Sequence, residues 1–165
     1  MPRTLKRTSG LITLAALLAV MTSCSGHDEV LSVGSDTDGS SVQDFMESAG
    51  EVDSITVSDI YDQAVSEVVI VCAYTPASII RQELGFTWTG AKSLGDWLSA
   101  HDEYQAVIAL HEGRVVEAER MTINVLHLCD MGLPSPATID AETTLRVSRS
   151  GTWSDGTTFP VASIE

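Results

Sequence analysis

Hydrophobic positions fall into two patterns along this chain, and each predicts a different kind of element. In "SEVVIVCA" the β-branched residues run without interruption from Val68 to Val71, which predicts a strand covered on both faces. "TPASIIRQELG" follows. Thr75 suits a helix N-cap, Pro76 the first helical position and Gly85 the stop, and Ile79, Ile80 and Leu84 would share one face. "SLGDWLSAHD", Ser93 to Asp102, reads as a shorter helix. Next, "YQAVIALHEGRVVEAERMTI" alternates apolar residues on both sides of Glu112-Gly113, so a β-hairpin is expected to turn there. Glu117 and Glu119 alternate with apolar neighbours and are assigned to a solvated strand face.

Further on, "NVLHLC" either extends the second arm or turns helical, and "GLPSPATID" reads as a loop marked by Pro134 and Pro136. "TTLRVSRS" and "TTFPVASI" are two closing strands joined between Gly151 and Gly156, and Pro160 puts the last one at an edge or a bulge. This order predicts an α+β domain, with one or two helices packed on a mostly antiparallel sheet of about five strands.

Polar residues dominate the stretch before this domain. Residues 25–53 hold eight acids, no Lys or Arg, and much Ser and Gly. Charge repulsion and low apolar content predict a solvated, flexible tether over residues 24–53, with "VQDFMESA" forming at most a fleeting helical turn. Residues 54–165 are then enough for one compact domain. Within the tether, "DTDGSS" resembles part of a calcium loop. With Gly39 at its sixth position, however, Gly34 and Phe45 fall where acids are needed, so the tether reading is preferred.

The N-terminus carries the clearest signal. Arg3, Lys6 and Arg7 precede the apolar run Leu11 to Val20, which is too short to cross a bilayer and reads as the core of an export signal over residues 1–23. "VMTSCSG" resembles the lipobox of bacterial lipoproteins, with Met21 where Leu is usual. That resemblance implies acyl chains on Cys24, a membrane anchor through them, and a mature protein on the outer side of a membrane. Loss of Arg3, Lys6 and Arg7 with the signal takes the net charge from −14 to −17. So acidic a chain repels phosphate backbones, and nucleic acid is not an expected partner.

Three cysteines are present. With Cys24 assigned to lipid, Cys72 and Cys129 are an even pair in an exported domain, where oxidising conditions favour a structural disulfide. A redox-active pair and two free buried thiols stay open as alternatives. A helix starting just after Cys72 would favour a thiolate. Against this, Cys72 begins no Cys-x-x-Cys motif, and no Lys or Arg lies within eight residues of it. From Val57 to Phe159, "VVIVCAYTP", "LGFTW", "EGRVVEAER" and the late cysteine together resemble small uncharacterised lipoproteins of actinobacteria. That resemblance implies the location and the cysteine pairing, and it brings no catalytic residues.

Other chemistry finds few components. "HEGRV" begins like a helical zinc motif but has Val115 where the second His belongs, and "HLCD" lacks a second ligand pair. No Gly-x-Ser-x-Gly elbow and no phosphate-binding glycine loop occur. No cofactor and no metal is therefore expected. Trp88, Trp97 and Trp153 are core anchors or the walls of a ligand groove. The expectation is a membrane-anchored binding or envelope-assembly module with an unidentified partner. A thiol-redox protein using Cys72 and Cys129 is the first alternative. A small envelope hydrolase, built where His101 or His111 meets an acid and a hydroxyl, is the second.

Overall fold

The computed structural model describes residues 40–165. Cys24, the export signal, His27 and most of the calcium-like stretch lie outside the described residues. The domain has α+β architecture with three α-helices and two antiparallel sheets. Strands β2 (Glu67–Cys72), β3 (Tyr104–His111), β4 (Arg114–Thr122) and β5 (Ala137–Asp140) form a four-stranded sheet in the order β4-β3-β2-β5. Strands β1 (Ser54–Thr56), β6 (Thr144–Thr152) and β7 (Thr158–Ile164) form a three-stranded sheet in the order β1-β6-β7. Seven strands in two sheets thus replace the expected single sheet of about five.

The continuous apolar run behaves as its pattern requires. Val68 and Ile70 point into one core and Val69 and Val71 into another, so the four-stranded sheet is the middle of three layers. On one side lie α2 (Ala77–Leu84) and α3 (Gly90–Leu98), which bury Ile80, Leu84, Leu94 and Leu98 against Val69, Val71 and Ile108. On the other side lie the three-stranded sheet and α1 (Ser41–Ala49), which contribute Val42, Ile55, Leu145 and Ala162. The helices approach closely because Gly95 of α3 has no side chain; a Cβ there would sit 2.6 Å from the backbone nitrogen of Ala77.

Several local expectations are corrected. Residues 41–49 are not solvated tether but the helix α1. Ser40 caps it by accepting from the Gln43 N–H at 3.0 Å, and Gly50 ends it at φ 68°. Val42, Phe45 and Met46 have helical spacing and pack on the core, with Val42 only 1% exposed. Acid-rich composition hid that stripe. At α2 the cap position is Pro76, and Thr75 instead shares a 2.8 Å hydrogen bond with Ser135. Ile79 turns outward at 38% exposure while Ile80 and Leu84 face inward. "ATID", read as loop, pairs with β2 as strand β5.

Other expectations hold. The hairpin turns at Glu112-Gly113, both at positive φ, between His111 and Arg114. Pro160 lies on an edge strand, at the register shift between Ser148 and Gly151.

Candidate functional site

Residues 123–136, between β4 and β5, run as a strap that touches both sheets. Gln105 of β3 is fully buried and grips it from one side: its amide donates to the Leu126 carbonyl and accepts from the Leu128 N–H at 3.0 Å. From the other side, the His127 N–H donates to the Pro160 carbonyl at 2.8 Å, and Ala162 N–H donates to the His127 carbonyl at 2.9 Å. These bonds cover the outer edge of β7 with a one-residue parallel bridge. Burial pushes the His127 ring below the ordinary histidine pKa, against the pull of Asp130. Two residues on, Cys129 is disulfide-bonded to Cys72 at the end of β2, with Cα atoms 5.8 Å apart. The strap is therefore tied to β3, β7 and β2 within four residues.

The three tryptophans do not converge. Trp88 is buried with α2 and α3, in the core of that layer. Trp97 stacks on His101 at 4.4 Å, meets Tyr104 edge-on, and carries the Arg120 guanidinium 4.5 Å above its ring. Trp153 lies far along the chain, in the turn between β6 and β7. It tilts against Phe159 at 5.2 Å, and its indole N–H donates to the Asn124 side chain of the strap at 2.7 Å. Trp153 lines an open groove.

That groove has a volume of about 610 Å³, and Glu103, Asn124, Trp153, Asp155 and Phe159 form its walls. Its geometry is set locally. Trp153 N–H donates to the Thr157 carbonyl at 2.8 Å, and Thr157 N–H donates to the Asp155 carboxylate at 2.8 Å. The latter bond holds Asp155 below the usual carboxylate range. Gly151 lets the Phe159 ring lie flat on β6, since a Cβ there would sit 2.2 Å from it. A second, smaller groove shares Asn124 and continues past Val125 and Pro160 to Met46 and Gly50 of the α1 end.

A different polar cluster was missed in the sequence. Glu119 does not face solvent, being only 3% exposed against α1, and Glu117 is half-buried beside it. Glu119 accepts from the Val42 N–H in the first turn of α1 at 3.4 Å and from the Tyr61 hydroxyl at 3.3 Å. Glu117 accepts from Ser41 at 2.6 Å and from Gln63 at 3.1 Å. Burial raises the Glu119 carboxyl above its ordinary pKa; the Ser40 hydroxyl pulls it back and the nearby Glu117 pushes it up. The only available sequence signal was the Ser40-to-Phe45 cap and stripe, which predicts a helix but not which strand it covers.

The two histidines offered for hydrolysis differ: His101 is held in an aromatic cluster, whereas the buried His111 Nδ1 has no hydrogen-bond partner among the described residues. His101 donates from Nδ1 to the Trp97 carbonyl at 2.8 Å and packs its ring against both Trp97 and Tyr104. His111 sits beside the hairpin turn, paired in register with Arg114. Among the described residues, no three His, Cys, Asp or Glu side chains are gathered to hold a metal. No protein-family model matches this chain, and no curated protein and no solved structure matches it either.

Proposed function

We propose that this chain is an exported lipoprotein, held to a membrane by acyl chains on Cys24, whose domain works by binding an envelope partner or ligand. One observation carries the reading. The Cys72–Cys129 disulfide ties the central strand to the strap across 57 residues, and such cross-links form and persist outside the reducing cytoplasm. It stands in a chain whose first 24 residues resemble a lipoprotein signal. Binding is supported by the Trp153 groove, where a held aromatic ring is surrounded by a few polar side chains. The two catalytic alternatives draw less support. Both domain sulfurs are committed to a bond between core elements, and the His101 ring serves packing.

Fractionation of cells expressing the chain and its Cys24→Ala variant tests the anchor. The parent should sediment with membranes, and the variant should be released or left as uncleaved precursor. An unchanged mature, membrane-bound variant overturns the lipid anchor. Intact mass with thiol alkylation, before and after reduction, tests the compartment. Two alkyl groups should add only after reduction; ready alkylation of Cys72 without it would favour the redox reading.

A further inference from the structure

We infer that the Trp153 groove recognises a small organic cation, through an aliphatic ammonium group seated against the indole between Glu103 and Asp155. The inference rests on the binding reading above and names its ligand class. Three observations lead to it.

The first is that the aromatic ring is held in place. Trp153 is fixed from below by Phe159 and from the side by Asn124, whose carbonyl oxygen takes the indole N–H. With its only donor already used, the indole offers a ligand its π surface, which is negative at the face and attracts cations. The second is charge. Of the described residues that line the groove, Glu103 and Asp155 are acidic, both are exposed, and none is Lys or Arg. Asp155 stays ionised because the Thr157 N–H bonds its carboxylate. An anion would be repelled by these two carboxylates, and a neutral ligand could gain no more from them than hydrogen-bond pairing, without the charge attraction a cation gains.

The third is the setting. The nearest guanidinium in the adjoining groove, Arg149, lies 3.6 Å from Glu51 and is paired with it. The chain as a whole carries a net charge of −14, so long-range steering also favours cations. The Arg120–Trp97 contact shows the same chemistry within the fold, where a guanidinium lies 4.5 Å over an indole.

The test is a titration of the full-length chain with putrescine, following the indole N–H resonances by NMR. 1,4-Butanediol serves as the neutral isostere and methyl β-glucoside as a neutral ring ligand. The Trp153 signal, assigned by its loss in Trp153→Phe, should move saturably with putrescine and stay put with butanediol. The Trp88 and Trp97 signals should not move. Glu103→Gln combined with Asp155→Asn should weaken the apparent affinity at least tenfold; both side chains are exposed, and an unmoved Trp88 signal reports an intact fold. If that variant fails to fold, raising the salt on the parent chain should give the same loss. An equal response to butanediol, an equal shift at Trp97, or a putrescine response unchanged by the double variant and by salt overturns the inference. Response to the glucoside without response to putrescine overturns the cationic class yet keeps the groove as a binding site. Silence toward all three probes overturns the class as well, while the lipid anchor is judged separately by fractionation.

Discussion

At the scale of single residues, Glu119 is where burial and hydrogen bonding oppose each other most directly. Its carboxylate meets the N-terminal turn of α1, which favours the charged form, yet desolvation is the larger influence and raises its pKa. The folded chain therefore holds this proton more tightly than the unfolded chain does. By linkage, Glu119's contribution to stability is greatest below the ordinary glutamate pKa and declines as pH rises through the raised value. Glu119→Gln keeps an acceptor for Val42 and removes the charge. Denaturant titrations should show the variant gaining on the parent as pH rises above the ordinary glutamate pKa; a constant difference would contradict the assignment. Glu119→Ala should instead destabilise, by about 1–3 kcal/mol for each buried donor left unpaired. Tyr61 is coupled to the same group, and its hydroxyl is pushed well above the ordinary tyrosine range by its own burial and by Glu119.

At the scale of elements, α1 and the α2–α3 pair illustrate two ways in which side-chain size decides a contact. The helix α1 docks through Val42, with Phe45 and Met46 beside it. Val42→Ala removes buried apolar carbons and should cost about 2 kcal/mol, allowing for some collapse of the site. Hydrogen exchange should then speed up in α1 before it does in β2 or β3. Uniform acceleration across the fold would mean that α1 and the sheets unfold as one unit. On the opposite layer, Gly95→Ala improves helix propensity by roughly 1 kcal/mol, but its Cβ meets the backbone of Ala77 at 2.6 Å. Backbone cannot give way as a flexible side-chain end can, so overpacking should win. A net loss of about 1–2 kcal/mol is expected in thermal or denaturant unfolding.

For the whole molecule, the strap and its disulfide join the layers. The 57-residue separation between Cys72 and Cys129 corresponds to roughly 4 kcal/mol in the chain-entropy account of cross-links. The paired Cys72→Ala and Cys129→Ala variant should lose stability of that order while keeping the same fold, because Gln105 and the His127 backbone still grip the strap. Unfolding with and without reductant measures it. A loss below about 1 kcal/mol would mean that the unfolded chain is already compact or the bridge carries native-state strain. The two grooves share Asn124 of this strap: the Trp153 groove lies between the strap, the β6–β7 turn and the start of β3, and only the second groove reaches α1.

Legibility in the sequence follows the range of the interaction. Period and punctuation are local, so the buried strand β2, the hairpin at Glu112-Gly113, the two helices α2 and α3 between them, and the edge position of Pro160 could all be read from the chain. The pairing of Cys72 with Cys129 was the preferred reading of three, because compartment and parity favoured it. Contacts between distant residues had no such signal. Nothing near β4 says that α1 will cover Glu119, 77 residues from Val42. Nothing near Trp153 says that Asn124 will take its indole N–H, and the three tryptophans gave no sign that they would lie apart in the fold. The sequence by itself determined most of the elements, though not α1 or β5, because local backbone and side-chain preferences act within a turn or two. Only the tertiary structure decided which acids are buried, which strands share a sheet and where the groove lies, because burial and charge pairing depend on which distant surfaces meet.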